Sequence, residues 1–198
     1  MTQPTDGAQR YRILLVCTGN ICRSPFAERL LRARLDERFG ADAGCIEVSS
    51  AGTWGLVDEP MQPEAAETLR RYGGDPEGFT AQALGPELIE AADLVLALTR
   101  EHRAKIVMMS PRAAARTVTL LEYARLLSGV TAADVPPADG LAARFRALTK
   151  VAFGRRGYVP LDDPADDDVP DPYGGKPAGY ERAAELIAGA LDVPLALL

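Results

Sequence analysis

Cys17 and Arg23 stand six residues apart in the segment Val16-Cys17-Thr18-Gly19-Asn20-Ile21-Cys22-Arg23-Ser24-Pro25. A thiol and a guanidinium at that spacing suit one arrangement. The backbone N–H groups of Thr18, Gly19, Asn20, Ile21, Cys22 and Arg23 can curl around a tetrahedral anion, with the sulfur facing its central atom. Arg23 brings a planar fork that matches two oxygens of a phosphate, which a lysine could not do. If a helix starts at the end of the loop, its N-terminus points at the same spot and favours the thiolate, the reactive form of Cys17. Gly19 and Asn20 are residue types that tolerate the left-handed backbone of so tight a loop. The chemistry this predicts is attack by Cys17 on phosphorus, through a phosphocysteine intermediate.

The elements that would hold this loop are readable around it. Ile13 to Val16 is a short continuous apolar run, as expected of a strand buried on both faces. A helix should follow, with Ser24 as N-cap, Pro25 at the first helical position and Phe26, Leu30, Leu31 and Leu35 as its apolar stripe, ending near Gly40. Strands are predicted at Ile46 to Ser49, Leu94 to Leu98 and Thr117 to Leu120. Helical patterns cover about Pro63 to Tyr72, Pro86 to Ala91, Thr99 to Ile106, Leu121 to Leu127 and Ala178 to Leu191. Short apolar strands alternating with helices predict an α/β fold with a parallel sheet, whose ligands bind beyond the carboxyl ends of the strands. Cys17 lies at such an end.

Residues 1–10 read as a loose polar tail and 11–198 as one domain. Within that domain, 128–160 interrupts the alternation with Gly129, Pro136, Pro137 and Gly140, followed by an amphipathic helix from Leu141 to Val151. Arg144, Arg146, Lys150, Arg155 and Arg156 make this insertion basic. A lid whose charges pair internally or face water is the plainer expectation, and a docking surface for a phosphorylated partner the sharper one.

Charge and composition exclude several classes. The 198 residues carry a net charge of −6, which argues against nucleic-acid partners. Asp162, Asp163, Asp166, Asp167, Asp168 and Asp171 account for all of it, because acidic and basic side chains balance at 22 each elsewhere. The single His102 leaves too few imidazoles for a typical metal site, and it is expected in an exposed or capping role. Three cysteines and no apolar run long enough to span a bilayer predict a cytoplasmic protein with no membrane insertion. No pattern in the chain specifies an oligomer.

The segment from Cys17 resembles the signature C-x-G-N-x-C-R-S of the low-molecular-weight protein tyrosine phosphatases. The resemblance extends to Ser50-Ala51-Gly52-Thr53 and to Asp171-Pro172-Tyr173-Gly174, which is similar to the family's general-acid loop. It implies a single domain with a four-stranded parallel sheet flanked by helices on both faces, in flavodoxin-like layering, and a phosphotyrosine protein or aryl phosphate as substrate. It also implies that Ser24 bonds the Cys17 sulfur, that Asn20 braces the loop through Ser50, and that neither metal nor cofactor is required. Asp171 becomes the general acid, chosen among six aspartates by Pro172 and Tyr173, with Asp168 as the fallback. The bulk of Asp162 to Asp168 is expected to be a solvated loop whose like charges help keep an acid protonated.

Trp54 and Tyr173 could wall a slot for a phenyl phosphate. Cys22 is either a reversible disulfide partner of Cys17 or a packing thiol. The chain departs from the family at Phe79-Thr80-Ala81-Gln82, where many members carry a histidine that helps brace the asparagine matching Asn20. Other readings stay open: arsenate reduction with a small external thiol, hydrolysis of a small phosphorylated metabolite under a lid formed by the insertion, and a non-catalytic phosphate-binding module.

Overall fold

The computed structural model describes residues 10–198. Four parallel strands form one sheet in the order β2-β1-β3-β4, with β1 at Tyr11–Cys17, β2 at Ile46–Gly52, β3 at Leu94–Ala97 and β4 at Thr117–Thr119. The connecting helices are α1 (Arg23–Phe39), α2 (Pro63–Arg71), α3 (Pro86–Ala91), α4 (Arg100–Met109), α5 (Leu120–Leu127), α6 (Leu141–Gly154) and α7 (Pro177–Ala196). This is the α/β architecture that the alternation of strands and helices predicted.

Alternating side chains of β1 feed two cores. Tyr11, Ile13, Leu15 and Cys17 pack with residues of α1, α5, α6 and α7 on one face. Leu14 and Val16 pack with Ile89 of α3 and Ile106 of α4 on the other. With both faces covered, the two central strands carry continuous apolar runs, Ile13 to Val16 in β1 and Leu94 to Ala97 in β3, rather than alternating ones. Register aligns Cys17 with Gly52 and Val16 with Ala97, and Ala97 in turn with Thr119. One end of the sheet therefore gathers the turns that follow all four strands.

Several boundaries differ from expectation, and three of them have a local physical reason. Helix α1 starts at Arg23, not after Ser24, with Cys22 at the N-cap and no side-chain cap. Its first turn also lacks acidic residues, which leaves the N-terminus open to an anion in place of a capping side chain. Leu120 opens α5 rather than closing β4, because Thr119 and Glu122 form a capping box there. Helix α7 continues through Pro194 to Ala196, held by the buried Pro194 and Leu195.

Helix α6 covers the amino end of β1, opposite the reactive turns. Phe145 stacks on Tyr11 at 5.4 Å, and Thr149 Oγ1 lies 2.7 Å from Tyr11 Oη and 3.0 Å from Tyr123 Oη. The two arginines that follow it find internal partners. Arg155 donates to Ser128 O at 2.9 Å, and Arg156 lies 3.6 Å from Glu122 and donates to Thr117 O at 2.5 Å. Of the tail expected at residues 1–10, only Arg10 is described, paired with Glu47 at 2.6 Å; the rest lies outside the described residues. Among the described residues, no helix is long and apolar enough to cross a membrane.

Candidate active site

Residues 17–23 wrap one wall of a cavity of about 300 Å³, completed by Trp54, Leu56, Asp171 and Tyr173. A larger cavity of about 590 Å³ opens at the amino end beside β2. It has no cysteine in its lining, and Arg12 and Arg32 on its wall are already paired with Glu47 and Glu28. The smaller cavity carries the chemistry.

The loop owes its shape to backbone bonds from the chain after β2. Thr53 N, Trp54 N, Leu56 N and Gln62 N donate to the carbonyls of Cys17, Thr18, Gly19 and Ile21, at 2.8 to 3.0 Å. With those carbonyls turned outward, loop N–H groups are left for an anion. Asn20 holds the required left-handed backbone, with φ of 57°. Gly52 lies so close beneath that a Cβ there would collide with Thr18 O and stand 2.7 Å from Gly55 Cα.

A buried network fixes the loop from below. Asn20 Oδ1 accepts from Gln82 N at 2.9 Å, which settles the orientation of its amide. Its Nδ2 then donates to Ser24 Oγ at 2.9 Å and to Ser50 Oγ at 2.8 Å, and Ser24 Oγ lies 3.0 Å from Cys17 Sγ. Ser50 Oγ donates onward to Glu28 Oε2 at 2.7 Å. Burial pushes the Glu28 carboxyl up, while the Ser50 bond and Arg32 and Arg29 oppose that shift. Gln82 also donates through Nε2 to Ser50 O at 2.8 Å. At the point of departure from the family, its backbone and side chain thus both brace the loop.

Glu28 was not singled out by its sequence. It lies one helical turn beyond Ser24, a polar residue on a buried face, and that was the available signal. His102 meets the capping half of its expectation, its N–H donating to Thr99 Oγ1 at the N-cap of α4 at 3.2 Å, but not the exposed half. It is buried, not exposed, with Nε2 2.8 Å from Thr18 Oγ1 and Nδ1 2.9 Å from Thr99 Oγ1. Burial first, then the Arg23 guanidinium, push it down to about 4, so the ring stays neutral near neutral pH. Its position one turn into α4, just past the carboxyl end of β3, was the missed clue.

Arg23 is 5% exposed and reaches across to the segment ahead of α7. Its Nη2 lies 2.6 Å from Asp171 Oδ2, and Nη1 donates to Val169 O at 3.0 Å, while buried Nε has no partner. The cavity thus brings together Cys17, Arg23 and Asp171, which are separated by up to 154 positions in the chain. Trp54 and Tyr173 flank it, 79% and 63% exposed, as open walls rather than core. Cys22 is buried beneath, its thiol pushed up to about 12 by burial and then by Cys17 and Asp171.

The acidic run divides: Asp162, Asp163 and Asp166 are exposed, as expected of a solvated loop, whereas the two aspartates that follow are not. Asp167 is buried and takes the fork of Arg125, and Asp168 takes the backbone and side chain of Arg100. Asp168, the fallback acid, does not line the cavity. The two carboxylates that most closely precede Asp171 in the sequence are thus each paired with an arginine. No residue of 128–160 lines the cavity either, so the insertion is not its lid. Among the described residues no cluster of side chains suits a metal ion.

Comparison with known proteins agrees with this geometry. The model of the low molecular weight phosphotyrosine protein phosphatase family matches residues 12–154, a stretch that ends before Asp171. The chain is 41% identical over 106 residues to low molecular weight protein-tyrosine-phosphatase Etp of Escherichia coli K12, covering 54% of this chain and 66% of Etp. A low molecular weight protein-tyrosine-phosphatase of Streptomyces coelicolor is 33% identical over 184 residues, covering 91% of this chain and 88% of that protein. The structure of YwlE arginine phosphatase from Geobacillus stearothermophilus superposes with a TM-score of 0.64 at 29% identity, covering 94% and 90% of the two chains. The chain belongs to the low molecular weight phosphotyrosine protein phosphatase family.

Proposed function

We propose that the protein hydrolyses aryl phosphomonoesters, with phosphotyrosine in proteins as the substrate class. The observation that carries this reading is the convergence of Cys17, Arg23 and Asp171 on one cavity between two exposed aromatic walls. Phosphate takes the place of the Asp171 carboxylate on Arg23, and the loop amides hold the remaining oxygens. Cys17 attacks phosphorus as the bond to the aryl oxygen breaks, and Asp171 in its acid form gives that oxygen a proton. Water then attacks the phosphocysteine with Asp171 as base, returning the thiolate and inorganic phosphate. Ser24, held by Asn20 as an acceptor, has its own hydrogen free to bond the sulfur. Three free cysteines support a reducing, cytoplasmic setting.

The rival readings draw less support. A metabolite phosphatase closed by the insertion has no lid, because α6 packs at the far end of the sheet. A phosphoarginine substrate would place a cationic group between Trp54, Tyr173, Ile21 and Leu56, with Asp171 as the one carboxylate in the lining. The test is hydrolysis of phenyl phosphate and of phosphotyrosine peptides by wild type, Cys17→Ser and Asp171→Asn, with phosphoarginine peptides and arsenate as competing substrates. Cys17→Ser should abolish turnover and Asp171→Asn should lower it about a hundredfold or more. Turnover that survives Cys17→Ser would overturn the mechanism, and preference for phosphoarginine or arsenate would overturn the substrate class.

A further inference from the structure

We propose that Arg125 and Arg100 are positioning residues for Asp171, clamping the two aspartates ahead of it so that its carboxyl stands at the leaving oxygen. This rests on the reading of Asp171 as proton donor and adds what holds it there.

The segment leading to Asp171 has only a short 3-10 turn, Pro164–Asp167, and no sheet or helix of its own to locate it. Three consecutive residues supply the anchors. Asp167 receives Arg125 Nε at 3.1 Å and Nη2 at 2.8 Å. Asp168 receives the backbone N–H of Arg100 at 2.6 Å, with Nε at 3.2 Å and Nη2 at 3.1 Å. Val169, fully buried, donates to Leu98 O at 2.8 Å. Pro170 then fixes one more dihedral before Asp171.

Asp171 has little else to hold it. Its side-chain partners are Arg23 and the N–H of Tyr173 in its own turn. Once phosphate occupies the Arg23 fork, that ion pair is lost at the moment when the acid must be in place. The anchors at 167–169 are what remain. A buried ion pair seldom adds net stability over apolar packing, so a bidentate one beside the site is better explained by the position it enforces. Arg125 also uses Nη1 on Val159 O at 2.9 Å, which ties the chain returning from α6 to the same hub.

The experiment compares kcat/KM for phenyl phosphate, whose leaving oxygen needs a proton, with that for dinitrophenyl phosphate, which leaves as a stable anion. The variants are Arg125→Lys, which keeps the buried charge but not the fork, and Asp168→Ala. Each should lose about tenfold on phenyl phosphate and less than about twofold on dinitrophenyl phosphate, a fraction of what losing the acid outright costs. In an Asp171→Asn background neither should add a further loss, since a misplaced acid cannot matter once it is gone. Equal losses on both substrates, or losses that persist with Asp171→Asn, would mean a merely structural pair and overturn the proposal. Asp171→Asn alone tests the underlying reading: if it shows no leaving-group dependence, the general-acid assignment fails first. Thermal unfolding confirms that each variant is folded, and should Arg125→Lys not fold, Asp168→Ala carries the same decision from the half-buried side.

Discussion

The loop at Cys17 and the loop at Asp171 line one cavity but are held in place by different means. The first is shaped by main-chain bonds, with four of its carbonyls taken by N–H groups of residues 53–62 and a glycine pressed beneath it. The second depends mainly on charged side chains, Arg125 on Asp167 and Arg100 on Asp168, drawn from helices far away in the chain. Main-chain bonds give a rigid ring of donors whose geometry survives side-chain change. Side-chain forks give a loop placed by groups from other elements, which suits the role proposed for Asp171 as acid and base.

That difference can be broken from either side. The largest effect should come from Gly52→Ala, since the added Cβ collides with the backbone of the Cys17 loop. Displacing loop donors by a fraction of an ångström to an ångström should cost about a hundredfold in kcat/KM, with roughly 1 to 3 kcal/mol of stability lost to overpacking. Steady-state kinetics beside a urea titration would read both, and a mild phenotype would mean that the loop is not held by its main chain. Next comes Arg125→Ala, which strands the buried Asp167 carboxylate and should cost about 3 to 5 kcal/mol in a urea titration. A loss under about 1 kcal/mol would place that pair among ordinary surface contacts.

A third test is the pH dependence of stability. Burial lowers His102 from 6.5 to about 4, so the unfolded chain binds the extra proton between those values. Its contribution is fully present above about pH 6.5 and is lost as pH falls towards about 4, amounting to about 3 kcal/mol at most. His102→Gln should flatten that window in urea titrations at stepped pH, and an unchanged slope would remove His102 as its source. The smallest effect belongs at the far end of the sheet. Thr149→Val breaks the bridge between Tyr11 and Tyr123 and should cost about 1 to 2 kcal/mol while leaving kcat/KM unchanged. An altered kcat/KM there would show that the amino end is coupled to the site after all.

Much of this was legible locally. Ile13 to Val16 as a buried strand, Cys17 to Arg23 as an anion loop and α1 beyond it are encoded in some twenty consecutive residues, by apolar runs, turn types and helix signals. The helix boundary slipped by two residues because an anion site took the place of a side-chain cap. The burial of His102 and of Asp167 was missed for a related reason. A lone histidine and a stretch of aspartates look solvated until the partners that bury or neutralise them are known.

Sequence alone thus determined the layered α/β fold and the position of the loop at Cys17, and singled out Asp171 among its neighbours as the acid proposed here. Tertiary structure decided that Gln82 and Glu28 complete the brace under Asn20, that Arg100 and Arg125 hold the acid loop, and that α6 packs away from the site. The physical reason is range. Turns, caps and apolar periodicity act between neighbours and leave a pattern in the chain. An ion pair such as Arg23 with Asp171 spans 148 positions and leaves none until the sheet brings its strand ends together.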